Sequence, residues 1–167
     1  MADHSSGGWK EARDSTPDKP ARTAATAESS YQLLELAEAM AHVGSWRYDA
    51  ATGAVTWSPE VFRIHGVDPS RFTPTLENGL AFYDRGDQQA IRDKLAAAIE
   101  SQSGYEIQLG MNRADGERRE VIARARCEVD CAGKVSAIIG VFQDVTDSAR
   151  AVRTAQQNEA RYRVLAD

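Results

Sequence analysis

Cys127 and Cys131, with His4, His42 and His65, are the groups in this chain best suited to nucleophilic or metal chemistry, and their spacing supports neither. On one extended strand, at ~3.3 Å per residue, the two thiols stand ~13 Å apart, beyond disulfide reach. A lone C-x3-C also lacks the further ligands that zinc requires, so both are read as structural thiols. No Ser/His/Asp or Cys/His grouping can be built on the histidines. His42 stands at a helix exit and His65 beside Gly66, where capping or packing is the expected role. Gly133-Lys134-Val135 is a turn into a strand, because the G-x4-G-K-[ST] frame of a phosphate loop is absent. No catalytic residue and no metal site is assigned. An enzyme on an unrelated α+β fold would rest only on scattered Asp, Glu and Arg, better read as solvated surface.

Asp144 and Thr146 carry a more definite chemistry. They fall in VFQDVTDSAR, residues 141–150, where an apolar strand gives way to a polar, Ala-rich helix with neither Pro nor Gly between. Either side chain can accept a hydrogen bond from the open N–H groups of the helix's first turn, and Asp147 adds favourable charge against its dipole. Such a cap couples strand position to helix register. Beyond it Val145, Ser148, Val152, Ala155, Glu159, Tyr162 and Ala166 recur at alternating steps of three and four, a candidate heptad seam of ~22 residues. Val152, Ala155, Tyr162 and Ala166 are its pairing positions. Glu159 places a charge in that seam, so pairing between chains and a helix folded back or left solvated both stay open.

These groups need elements to hold them. Residues 1–28 are too polar to cover the apolar surface that offsets ordering entropy and are read as a mobile leader. Tyr31, Leu33, Leu34, Leu36, Ala37 and Met40 give an amphipathic helix over residues 29–42, which needs a partner surface. SWRYD and AVTW form a hairpin across Ala50-Ala51-Thr52-Gly53. Ser58-Pro59-Glu60 predicts a short helix with a hydroxyl cap, ended by Gly66, and Thr73-Pro74 a second start. GDQQAIRDKLAAAIESQSG is the longest central helix, with Asp87 as its cap and Gly104 beyond its end. Period two then takes over. YEIQLGM, RREVIARARCEV and VSAIIGVFQD are three strands, with Asp115-Gly116 and Ala132-Gly133-Lys134 as turns. The whole predicts an α+β domain with a five-stranded antiparallel sheet, short helices on one face, and flanking helices at both ends.

A chain of 167 residues with 42% hydrophobic content suffices for one such domain. A net charge of −5 argues against a surface that neutralises nucleic-acid phosphates. No run of about 18 apolar residues exists and MADHSSGGWK is not a secretory signal, so a cytoplasmic protein without membrane partners is expected.

Two segments together resemble a PAS domain with its PAC motif: LLELAEAMAHVGSWRYDAATGAVTWSPEVFRIHGVDP and ADGERREVIARARCEVDCAGKVSAIIGVFQDVTD, the latter with the closing Asp-x-Thr. The likeness covers residues 30–147. Residues 43–147 are taken as the PAS domain proper and 148–167 as a signalling helix. Tyr83-Asp84-Arg85-Gly86-Asp87 departs from the His-Pro-Asp-Asp-like stretch of many relatives. The resemblance implies a sensory or dimerising module of a bacterial histidine kinase or cyclic-dinucleotide protein, homodimeric through its flanking helices and linked to an effector. A free-standing adaptor is the alternative. It implies no activity of its own. Haem-binding relatives use a histidine on the long helix, and AIRDKLAAAIES has none; flavin-binding light sensors carry a reactive cysteine in an Asn-Cys-Arg stretch absent here. Where those relatives hold flavin by side-chain amides, this chain has Met111, Val121 and Phe142, which would leave polar flavin edges unpaired at ~1–3 kcal/mol each. No cofactor is therefore expected. Met111, Val121, Ala123 and Phe142 line either a pocket for an apolar ligand or a filled core. NEARYRVLAD looks like the lead-in to another PAS domain.

Overall fold

The period-two segments pair as expected. In the computed structural model, which describes residues 19–165, strands β1 (Val43–Asp49), β2 (Val55–Trp57), β3 (Tyr105–Asn112), β4 (Arg118–Val129) and β5 (Val135–Asp144) form one antiparallel sheet in the order β2-β1-β5-β4-β3. The last strand thus lies at the centre. Its neighbours are fixed by register: Trp46 faces Gly140, Gly140 faces Ala125, and Ala125 faces Tyr105. Gly53, Gly116 and Gly133 take positive φ in the three hairpin turns, where L side chains are strained.

Helices α2 (Pro59–His65), α3 (Leu76–Leu80) and α4 (Arg85–Ser101) connect β2 to β3. They bury Val61, Ile64, Leu80, Leu95 and Ala98. One core cluster joins Val61 and Ile64 to Met111, Val121 and Phe142; a second joins Leu95 and Ala98 to Val135 and Ile138. Each large apolar side chain so buried contributes roughly 1.5–3 kcal/mol.

Several caps differ from expectation. The Ser58 hydroxyl makes no cap bond; it accepts the N–H of Ser45 in β1 at 3.0 Å, which anchors the start of α2 to the sheet. The second short helix starts two residues later than Thr73-Pro74, because Thr75 and Asn78 form a reciprocal capping box. The long helix begins at Arg85 behind Asp84, so Asp87 lies in its first turn, and Gln102 in the left-handed region ends it before Gly104. Gly104 instead permits close approach: a Cβ there would stand 2.4 Å from the Ala125 carbonyl.

Helix α1 (Lys19–Ala41) starts ten residues before its expected boundary at 29. Residues 1–18 of the expected leader lie outside the described residues. Polarity argues against a core but not against a helix: Ala21, Ala24, Ala25 and Ala27 have the highest helix propensity, and Pro20 sits in the tolerated first turn. By backbone contacts the chain divides at Leu33, with the sheet and all later helices in the unit that begins at Leu34. In that second unit Leu34, Leu36 and Met40 of α1 are exposed. His42, at φ 52°, ends the helix and turns the chain into β1.

The docking of α2 depends on Gly44. A Cβ there would lie 2.5 Å from Val61 Cγ2 and 2.7 Å from the Val61 backbone nitrogen, and backbone cannot yield as a side-chain tip can. Gly44→Ala is expected to lower the unfolding free energy by about 1–3 kcal/mol in urea denaturation. Unchanged stability would mean that α2 does not approach the strand this closely.

Candidate functional site

Between the sheet and its connecting helices lies a cavity of about 110 Å³. Trp57, Trp46 and Tyr105 line it from the sheet. They belong to one cross-strand row, Trp57, Trp46, Gly140, Ala125, Tyr105, in which large rings flank two positions with little or no side chain. A Cβ on Gly140 would meet the Trp46 ring at 2.8 Å; the glycine lets the indole lie across the strand. Leu76, Gly79 and Leu80 of α3, Ile91 and Leu95 of α4, and Tyr83 between them close the other side.

His65 sits in an aromatic stack at this wall. Its ring is 4.3 Å from that of Trp57 and 5.0 Å from that of Phe142, both stacked, and 4.9 Å edge-on to Phe82. Nδ1 lies 2.8 Å from the Val61 carbonyl, which fixes Nδ1–H as the donor in the neutral ring. Burial lowers its pKa to about 4, outweighing the opposite effect of the bond to Val61. Burial likewise raises Tyr83 above the ordinary phenol range and pushes Tyr105 up to about 12. All three are neutral at physiological pH.

At the end of β5 the expected cap takes a more specific form. The N–H of Val145 donates to the Glu120 carbonyl at 2.8 Å, and the N–H of Glu120 donates to Thr146 Oγ1 at 3.0 Å. A side-chain oxygen therefore supplies the acceptor with which the β4·β5 ladder ends. Asp144 Oδ1 accepts both the Thr146 hydroxyl and the Thr146 N–H, the latter at 2.9 Å. Asp144 Oδ2 accepts from Arg119 at 3.1 Å, and the Asp144 N–H donates to the His42 carbonyl at 3.0 Å. Helix α5 (Thr146–Leu165) then leaves this knot and is tied back once more by the Arg153–Glu120 ion pair. Of the two nominated residues, Asp144 accepts from the helix; Thr146 serves the strand.

The expected pocket residues separate. Ala123 and Phe142 line the cavity, whereas Met111 and Val121, 0% and 2% exposed, are packed in the adjoining core cluster. Tyr83, Tyr105, His65 and Trp46 were not legible as pocket residues. The only hint was the alternation of aromatics in SWRYD; Tyr83 lies in an irregular stretch with no periodicity to assign its direction. Cys127 donates weakly to the Ala98 carbonyl, and both cysteines are free thiols. In the seam, Val152 and Tyr162 are exposed, Ala155 is also exposed, and Ala166 lies outside the described residues. On the opposite sheet face a groove of about 740 Å³ runs between Arg47, Arg124 and Arg126 over Ile139 and Val141. No helix among the described residues is long and apolar enough to cross a membrane, and they contain no cluster of three or more His, Cys, Asp or Glu fit for a metal ion.

The family model described as PAS fold matches residues 54–142. Among solved structures, a sensory box histidine kinase/response regulator from Burkholderia thailandensis E264 is similar at 24% identity and a TM-score of 0.60, over 77% of this chain and 98% of that one. An RNA-binding light-oxygen-voltage receptor is similar at 21% identity and a TM-score of 0.61, over 75% of this chain and 34% of the receptor. The N-terminal domain of a diguanylate cyclase with PAS/PAC sensor from Marinobacter aquaeolei gives 18% identity and a TM-score of 0.58, over 64% and 98%. No curated protein gives a significant match.

Burial of neutral His65 makes stability depend on pH. Its folded pKa of about 4 lies below the unfolded value of 6.5, so between them the unfolded chain binds more protons. This residue's share of stability is intact above pH 6.5 and is lost as pH falls towards 4, by ~3 kcal/mol. Urea unfolding at stepped pH should show that slope in the natural chain and lose it in His65→Leu; equal slopes would place a solvated histidine here.

Proposed function

The chain belongs to the PAS fold family, and on that premise we propose that it is a sensory and signal-relay module. It pairs with a second copy through its flanking helices and passes a conformational change to an effector in a bacterial histidine kinase or cyclic-dinucleotide signalling protein. The observation that carries this reading is the Asp144–Thr146–Glu120 knot. Any sliding of β5 against β4 must break the Glu120 N–H bond to Thr146 or move the first turn of α5 with it. The His42 carbonyl, bonded to the Asp144 N–H, brings the end of α1 to the same point. A displacement in the core thus reaches both helix roots.

In this reading no catalytic group lies within these residues, catalysis belonging to the effector, and the module works in the cytosol without haem or a photochemical flavin. Exposed Val152 and Tyr162 on α5 support pairing along the seam. The open groove on the outer sheet face favours a second reading, an adaptor that binds a partner protein through its sheet.

Three measurements test the relay. In a Cys131→Ser background, Tyr162→Cys should form a disulfide between copies under mild oxidation, and light scattering should give a dimer at micromolar concentration. A strict monomer would overturn the pairing. In Asp144→Ala/Thr146→Val, amide exchange in the first turns of α5 should quicken tenfold or more while the centre of the sheet stays protected. Unchanged exchange would mean that the knot does not hold the helix.

A further inference from the structure

The two edge strands of the sheet are not equivalent. β2 has three residues, whereas β3 has eight, Tyr105–Asn112, and pairs with β4 without a register shift. Two bonds at its end fix the direction of its main-chain groups. The Arg113 N–H donates to the Glu117 carbonyl across the hairpin, while the Asn112 N–H donates away from β4, to the Phe82 carbonyl. Main-chain groups alternate between the two sides of a strand, so the odd-numbered residues of β3 serve β4. The opposite side of the ladder agrees. Glu120 turns its N–H to Thr146 and its carbonyl to Val145, which leaves the odd-numbered residues of β4 to bond β3. Glu106, Gln108 and Gly110 therefore point their N–H and carbonyl groups outward. Apart from that of Asn112, β3 makes no outward bond to another backbone group among the described residues. The devices that commonly blunt such an edge are missing here: YEIQLGMN holds neither lysine nor proline, and its one charge is Glu106.

An edge of this kind accepts another extended strand, and the side chains along it select which one. Gln108 is the middle of the three outward residues. In an antiparallel pair of two β3 strands centred there, Gln108 faces Gln108 and Glu106 faces Gly110 of the second copy, so each outward residue exchanges two bonds and about six form in all. The charges then match. A Cβ on Gly110 would collide with the Arg118 guanidinium, which lies over the glycine and is largely exposed. Glu106 of one copy thus meets Arg118 of the other, twice by symmetry. Within its own chain Glu106 gives only Oε2 to Arg124, and Oε1 remains for the second copy. Other registers are poorer. Centring on Glu106 would set like charges opposite each other, and centring on Gly110 would need the Asn112 N–H already given to Phe82. From these observations we propose that β3 is a self-pairing edge, which joins two copies into one continuous antiparallel sheet through Glu106, Gln108 and Gly110. This surface is separate from the flanking helices and does not rest on the relay reading.

A cysteine in place of Gln108 tests the geometry. Residues opposed in such a pair have Cα atoms ~5.5 Å apart, within disulfide reach. In a Cys131→Ser background, Gln108→Cys should cross-link between copies under mild oxidation at least tenfold faster than Thr56→Cys, which is exposed on the other edge strand. Amide exchange of the natural full chain gives an independent reading. Exchange at Glu106, Gln108 and Gly110 should slow tenfold or more as the chain concentration rises from micromolar to millimolar. Gln108→Pro removes an N–H that the β4 ladder does not use, so the fold should survive while protection at Glu106 and Gly110 disappears. Glu106→Arg, which sets arginine against Arg118 and leaves the backbone unaltered, should weaken pairing at least tenfold and serves as the test should proline perturb the strand. Cross-linking no faster than at Thr56, exchange independent of concentration, or protection that survives both variants would each overturn the assignment. Protection at β3 without a Tyr162→Cys cross-link would support edge pairing and remove helix pairing alone; the reverse would remove edge pairing alone.

Discussion

The hydroxyl of Thr146 has two tasks that no backbone group could perform together. It accepts the Glu120 N–H, ending the β4·β5 ladder, and gives its proton to Asp144, whose carboxylate also holds the first N–H of α5. With Thr146 only 3% exposed, water does not readily replace any of these partners. A single hydrogen bond contributes about 1 kcal/mol net, but losing Thr146 leaves a strand N–H open and frees the carboxylate that caps the helix. The strand and the helix therefore share one set of bonds. The centre of the sheet cannot be described separately from the helix that leaves it.

The same central strand sets the form of the interior. Gly140 has no side chain because Trp46 occupies that space, and Ala125 next to it is the smallest residue that still has a Cβ. Flanking aromatics from β1, β2 and β3 line the pocket together with the helices. It is uncharged, is edged by three phenols, Tyr48, Tyr83 and Tyr105, and lies beside a cluster where Met111 and Val121 are fully packed. Its boundary with the packed core runs between Val121, which is packed, and Ala123, two residues along the same strand.

Patterning made the strands and their turns legible. The apolar run VSAIIGVFQD and the alternation in RREVIARARCEV gave strand limits that the fold reproduces, and glycines marked the turns, because these signals are local: side chains alternate across a pleat, and only glycine takes positive φ without strain. Caps were less legible. Ser58 is the residue type favoured at a helix N-terminus and stands at that position, yet its oxygen is drawn to Ser45 N–H, a donor on a strand thirteen residues away. Local preference identifies a group able to accept; the competing donor is brought by the fold. The same holds for Thr146, whose oxygen goes to Glu120 in place of the helix.

By itself, the sequence determined the class of fold, the five strands, and the fact that something at Asp144 and Thr146 must join strand to helix, since each follows from residue type and spacing along a short stretch. Only the tertiary structure decided which oxygen serves which donor and which side chains meet around the cavity. Tyr83 and Tyr105 are separated by the whole of α4, and Trp46 is remote from both. Their meeting depends on strand order and helix docking, which are long-range properties that no window of neighbouring residues contains.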